Sequence, residues 1–257
     1  MLVVRAEQMK AFEQAALRRF EDKMMEHSKD ISPRLCEVIG DEQLRVVISS
    51  AITRAMAYGF TNRGPIRLFI EMMFFCGSAF DTDPQYATVG EILRMSGDQM
   101  QRAEQIHEGY LDYLDKVSGP DAANVHKALR DLAYFAKTPI RFTANNFVSG
   151  MLQEMNAIFQ KKKAAYVGAE NLTALIQEGR KEAQKYGFQN IRAEALIVVL
   201  MFSFGHGCTN DPLYPWISNT LQDERIVSAE ARAERLEKKA MTWLEHVNAR
   251  NEKKAQI

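Results

Sequence analysis

The chain has no net charge, few cysteines, no long apolar run and no strand patterning, and each absence excludes something. Lysine plus arginine and aspartate plus glutamate both total 33, so the summed field exerts no long-range pull on phosphate backbones or anionic lipid surfaces. Nucleic acid is therefore not an expected partner. The three cysteines, Cys36, Cys76 and Cys208, lie far apart without any Cys-x-x-Cys spacing, which suits a reducing compartment better than a disulfide framework. The expected location is cytoplasmic. The longest apolar run, ALIVVLMFSFG from Ala195 to Gly205, reaches about half of the roughly 20 residues a membrane-spanning helix requires. It reads as a buried helix. The opening MLVVRAEQMKAFEQ is broken by Arg5, Glu7 and Lys10 and has no apolar core of signal-peptide length. Neither membrane insertion nor export is expected.

Reaction motifs are missing too. No Gly-x-Ser-x-Gly, His-Glu-x-x-His or phosphate-binding glycine loop occurs, and His27, His107, His126, His206 and His246 are scattered. No catalytic residue, metal or cofactor is assigned. With no sustained two-residue alternation and no Asn-Gly or Asp-Gly hairpin turn, the apolar periodicity is helical throughout, and the expected class is all-α. At 46% apolar and 26% charged, a chain of this length can bury an ordinary globular core.

What is present is a repeat. Residues 40–93 slide onto 168–221 without a gap, and 17 of those 54 positions are identical, where about three would match by chance. YGFTN at Tyr58 returns as YGFQN at Tyr186, and DP at Asp83-Pro84 returns as Asp211-Pro212. The register extends outward with small slips: RAEQIHEGYLDYL from Arg102 matches RAERLEKKAMTWL from Arg232, and Phe20 and Met24 match Phe147 and Met151. The expected organisation is two tandem, pseudo-equivalent helical units from an internal duplication: residues 1–118, a connecting helix at 119–139, a second unit at 140–250, and a frayed tail at 251–257.

The repeated residues have local roles. Leu44, Val47, Ile48, Ala51, Ala55 and Tyr58 recur at three- and four-residue spacing, one face of an amphipathic helix. Gly59, and Gly187 in the second copy, then stops the helix in the left-handed conformation while the following phenylalanine folds back on its last turn. Asp83-Pro84 and Asp211-Pro212 read as an aspartate cap before a proline at the first helical position, the start of a helix. Ile226, Ala229, Ala233, Leu236, Ala240, Trp243 and Val247 form an apolar seam on the last helix, to be covered by the chain's own bundle or by a partner helix.

Candidate chemistry is sparse. Asp81 and Asp83 could present two carboxylates to a cation, but the copy keeps only Asp211, so a metal is not assigned. Gly205 to Cys208 puts an imidazole and a thiol two residues apart with no further ligand pair. Glu71, inside an apolar helix, needs a partner such as Arg67 or Arg54. If a partner protein binds, the groove between the two units and the loops around the DP pairs are the expected place. There the residues that differ between copies, Phe80, Asp81, Gln85, His206, Leu213 and Trp216, are the expected contacts, with Trp216 as the anchor.

The segment LFIEMMFFCGSAFDTDPQYATVGEIL from Leu68, with RRFEDKMMEH and the helix end YGF, resembles a family of small helical proteins encoded in bacterial type VI secretion effector clusters. Arg19, Phe20, Tyr58, Gly59, Phe80, Asp81, Asp83 and Pro84 carry the likeness. Ala87 and Thr88 replace the family's Pro-Trp pair, which Pro215 and Trp216 supply in the second copy. The resemblance implies a non-enzymatic protein-binding accessory, an effector-loading co-chaperone or adaptor whose partner is a secreted effector or its adaptor. An immunity protein that neutralises a cognate toxin is the alternative within the binding class, and a small-ligand-binding protein or enzyme is the alternative outside it.

Overall fold

The computed structural model describes residues 6–157 and 161–254, and all regular structure among them is helical. Twelve α-helices follow in order: α1 (Ala6–Ile31), α2 (Pro33–Ala57), α3 (Arg63–Cys76), α4 (Ala87–Arg94), α5 (Gln99–Tyr113), α6 (Ala123–Phe135), α7 (Phe147–Ala157), α8 (Lys161–Val167), α9 (Ala169–Lys185), α10 (Ile191–Phe204), α11 (Pro215–Leu221) and α12 (Ala229–Lys254). No helix of the described residues is long and apolar enough to cross a membrane.

Two clusters of buried side chains hold these helices. One is drawn from Phe20 to Ile106 and is closed by Leu213. The other runs from Phe135 to Leu236. In the first, α2 packs on α1 and α3, and α5 closes over α3. In the second, α9 packs on α10 and α7, and α12 closes over α10, α11 and α6. Of the seam expected on the last helix, Ala233 and Leu236 are buried in the second cluster, and Ala229, Ala240 and Trp243 pack against it partly buried. Ile226 precedes the helix, which begins at Ala229.

Helix punctuation follows local chemistry. Gly59 and Gly187 both have φ 77°. The Gly59 N–H donates to the Met56 carbonyl and the Phe60 N–H to the Ala55 carbonyl, and Gly187 and Phe188 repeat the pair on Gln184 and Ala183. This doubled reverse bond satisfies the last carbonyls of the helix and drops a buried phenylalanine back onto its face. A second glycine device lies upstream. Gly40 (φ 77°, ψ 162°) kinks α2, and Gly168 (φ 84°, ψ 155°) precedes α9.

The first aspartate–proline pair starts a helix as expected, Asp83 capping the 3-10 turn Pro84–Tyr86 that runs directly into α4, whereas after Asp211-Pro212 the helix waits until Pro215. Asp83 and Asp211 each cap a single turn, accepting the N–H of Gln85 and Leu213. The second oxygen of each aspartate is engaged elsewhere in the chain. Other boundaries also shift. The second half opens with α7 and α8, with 158–160 outside the described residues. The connecting helix is shorter than expected, at 123–135. Residues 251–254 of the expected tail continue α12, and 255–257 lie outside the described residues. The N-terminal part of α1 reaches past the first core, leaving Met9, Phe12 and Leu17 exposed.

Candidate functional site

The expected site residues converge on a seam where the glycine ends of α3 and α10 meet. Gly77 (φ 93°, ψ 153°) and Gly205 (φ 95°, ψ 152°) take nearly the same conformation. A Cβ on Gly77 would collide with the Phe204 carbonyl oxygen, and one on Gly205 would lie 2.7 Å from the Cys76 carbonyl oxygen. Only glycine lets the two backbones touch here. The aspartates then cross the contact. Asp83 Oδ2 accepts from the His206 N–H at 2.7 Å, and Asp211 Oδ2 accepts from the Ser78 N–H at 2.7 Å. Each aspartate caps its own turn with one oxygen and holds the opposite turn with the other.

The surrounding side chains complete this lock. Arg54 donates to the Ser78 carbonyl and to Asp81, which also accepts the Tyr58 hydroxyl at 2.9 Å. At the corresponding place in the second half, Thr209 donates to Glu182 at 2.8 Å. His206 lies between Glu178 (2.9 Å) and Thr82 (3.0 Å). Gln85 reaches across to the Met201 carbonyl at 3.1 Å. Leu213 inserts into the first core. Lys163 enters from α8, donates to the Phe202 carbonyl at 2.5 Å and lies over the Phe202 ring.

Burial sets the electrostatics. It raises Asp83 and Asp211 above the usual carboxylate range, against the pull of the backbone N–H groups they accept. It pushes the Cys76 thiol up to about 12 and the Lys163 ammonium down to about 8. Burial alone would lower His206, but Glu178 and Asp83 outweigh it and the imidazole is raised. The Cys208 thiol is pushed well up by burial, so neither it nor Cys76 is poised as a thiolate. Among the described residues, no three His, Cys, Asp or Glu side chains converge on a point that could hold a metal ion.

Several expected partner contacts are therefore interior. Phe80, Asp81, Gln85 and Leu213 are buried, and they differ between the halves because they pack against unlike neighbours inside the seam. At this contact backbone meets backbone. Glu71 is paired with Arg67 (2.8 Å) and with His27 (2.6 Å), while Arg54, the other expected partner, serves Asp81.

Trp216 alone opens onto a different feature. A groove of about 460 Å³ runs between α11 and α12, lined by Trp216, Arg235, Lys238, Lys239, Thr242, Trp243 and His246. Both tryptophans of the chain are in it. Their rings pack on Phe204, with centroids at 6.0 Å for Trp216 and 4.9 Å for Trp243, so each indole is half core and half wall. The α12 residues recur at three- and four-residue steps, which puts them on one stripe of the helix. Lys239 donates to the Thr220 hydroxyl at 2.8 Å, and that hydroxyl donates to the Trp216 carbonyl at 2.6 Å, fixing the wall. Among the described residues, Lys238 and His246 make no ion pair, and no carboxylate lines the groove. An apolar cavity of about 80 Å³ lies behind Trp243, between α6, α10 and α12.

Sequence reading located Trp216 but missed the stripe opposite it. The spacing of Arg235, Lys238, Lys239, Thr242 and His246 was the available signal. Which stripe of α12 faces Trp216 depends on where α11 docks. The fold and site define an all-α protein with a cationic, tryptophan-walled groove. No family model, curated protein or solved structure matches the chain.

Proposed function

We propose that the chain is a protein-binding accessory of a bacterial type VI secretion effector cluster, an effector-loading co-chaperone or adaptor, built by tandem duplication of one helical unit. The observation that carries the binding role is the groove between α11 and α12. Two indoles on a fixed wall with unpaired cations at the rim form the kind of surface in which a few buried aromatics supply most of an interface's affinity. The secretion context rests on the motif resemblance through Arg19, Phe20, Tyr58, Gly59 and the residues from Phe80 to Pro84.

The duplication is supported by correspondences at the repeat spacing. Gly77 and Gly205, Ser78 and His206, and Asp83 and Asp211 exchange the same contacts reciprocally. Arg102 donates to the Tyr58 carbonyl at 2.9 Å and Arg232 to the Tyr186 carbonyl at 3.2 Å. Arg54 with Asp81 is replaced as a pair by Glu182 with Thr209. Paired replacement is what a duplicated contact under packing constraint produces.

The test is co-expression with the products of neighbouring genes, followed by affinity purification and a toxicity assay. A stable complex that leaves a toxin active, and is required for its delivery, supports the accessory. Loss of toxicity on binding identifies an immunity protein instead. Absence of any complex, together with a turnover that Glu71→Gln abolishes, overturns the binding reading.

A further inference from the structure

We infer that the groove between α11 and α12 receives an acidic amphipathic helix of the partner protein, with one bulky apolar side chain of that helix seated between Trp216 and Trp243. This rests on the protein-binding reading and names the chemistry of its partner.

The charge of the groove is one-sided although the chain is neutral. Arg235, Lys238, Lys239 and His246 share its lining with no carboxylate. Asp223, whose charge interacts with Arg235, is already held by Arg225 at 2.8 Å. Lys238 and His246 are exposed at the rim, where charge steers encounter and selects a partner of opposite sign. The indoles lie deeper and half-buried, where an apolar anchor displaces water.

Shape decides between acidic partners. From Arg235 to His246 the stripe spans 12 residues, about 16 Å at the rise of a helix, longer than one phosphorylated nucleotide and matched to three turns of a helix. Its cations are spaced along a line. This wall is the side of α12 and lacks the converging backbone N–H groups that a helix N-terminus or a glycine loop brings to a single phosphate. An acidic helix with carboxylates one turn apart would meet Arg235 and then Lys238 or Lys239, with its apolar face against the indoles.

The experiment uses a displayed library of random helical 16-residue peptides selected on the full-length protein. Enriched peptides are then titrated by intrinsic tryptophan fluorescence, which reports on this groove alone because both tryptophans line it. The peptides, drawn from a library without tryptophan, are expected to carry net negative charge and a Leu or Phe anchor, and to shift the emission saturably. Binding should weaken severalfold when salt rises from about 0.05 to 0.5 M, as screening of rim charges requires. Lys238→Glu with His246→Glu, both exposed, should weaken it about tenfold or more, and Trp216→Ala about thirtyfold. If Trp216→Ala impairs folding, the rim variant alone decides. Enrichment of basic or uncharged peptides, tight binding that leaves tryptophan emission unchanged, or failure to enrich any sequence overturns the inference. So does preferential binding of single-stranded nucleic acid over acidic peptides. A partner that co-purifies by another face would defeat this inference while leaving the protein-binding function intact.

Discussion

Replacing either crossing aspartate by asparagine isolates the contact that joins the two halves. Asp83 is 2% exposed and accepts three hydrogen bonds, from the Gln85 N–H (2.8 Å), the Gln85 side chain (3.1 Å) and the His206 N–H (2.7 Å). In Asp83→Asn the remaining oxygen can keep the turn cap. The new amide group then faces the His206 N–H, donor against donor. One charge-assisted bond is lost and one buried N–H is left without an acceptor, about 2–3 kcal/mol in all. Asp211→Asn sets the same conflict against the Ser78 N–H, so the two variants should cost similar amounts. With an unfolding slope of about 3 kcal/mol per M of urea, each midpoint should fall by about 1 M. The double variant should cost less than the sum, because the second bond crosses a contact the first has already loosened. Burial raises both carboxylates above 3.8, so each contributes stability that is present in acid and is lost as pH rises through the raised folded value. The deficit of Asp83→Asn should therefore be larger near about pH 4 than near about pH 7. A cost below about 0.5 kcal/mol, or a large cost for one aspartate and none for the other, would refute the reciprocal reading of the seam.

Other variants test the packing. Glu194 is buried and paired with Arg180 at 2.8 Å, whereas the first half carries Ile52 and Ile66, both buried, at the corresponding positions. Arg180→Ile with Glu194→Ile should leave urea stability unchanged or raise it by about 1–3 kcal/mol, while Arg180→Ile alone should cost about 3 kcal/mol by stranding a buried carboxylate. Lys163, lowered from 10.5 to about 8 by burial, destabilises the fold while charged, and that penalty is relieved as pH rises from about 8 to 10.5. Lys163→Met should raise the thermal midpoint at neutral pH, with a gain of about 2 kcal/mol after loss of the bond to the Phe202 carbonyl. The advantage over the unsubstituted protein should shrink above pH 8, and a constant advantage would show that Lys163 is not the group responsible.

What could be read in advance was whatever a few neighbouring residues decide. Gly59 and Phe60 end α2 through bonds to Met56 and Ala55, all within six residues, and the stop was legible from the letters YGF. The apolar run from Ala195, read as a buried helix, likewise lies in α10. Asp83-Pro84 was legible as a helix start, but not the claim of His206, 123 residues away, on the aspartate's second oxygen. Nothing local records that claim. The same distance hid the meaning of the differences between copies. Gln85 and Leu213 looked like partner contacts because they disagree, yet one reaches the Met201 carbonyl and the other fills the first core. The stripe from Arg235 to His246 was visible as charge between apolar positions, but its place beside Trp216 is set by tertiary docking of α11.

The central claim is that the tryptophan groove is where a protein partner binds. The most direct measurement is the tryptophan emission of the full-length protein titrated with the partner recovered by co-expression. A tryptophan-free form of the partner is used, so that only Trp216 and Trp243 report. The account predicts a saturable blue shift and intensity change at the stoichiometry of the complex. The change should weaken with salt and be lost together with affinity in Lys238→Glu/His246→Glu. A complex that forms with full affinity while the emission stays unchanged, and that is indifferent to the rim substitutions, would contradict it.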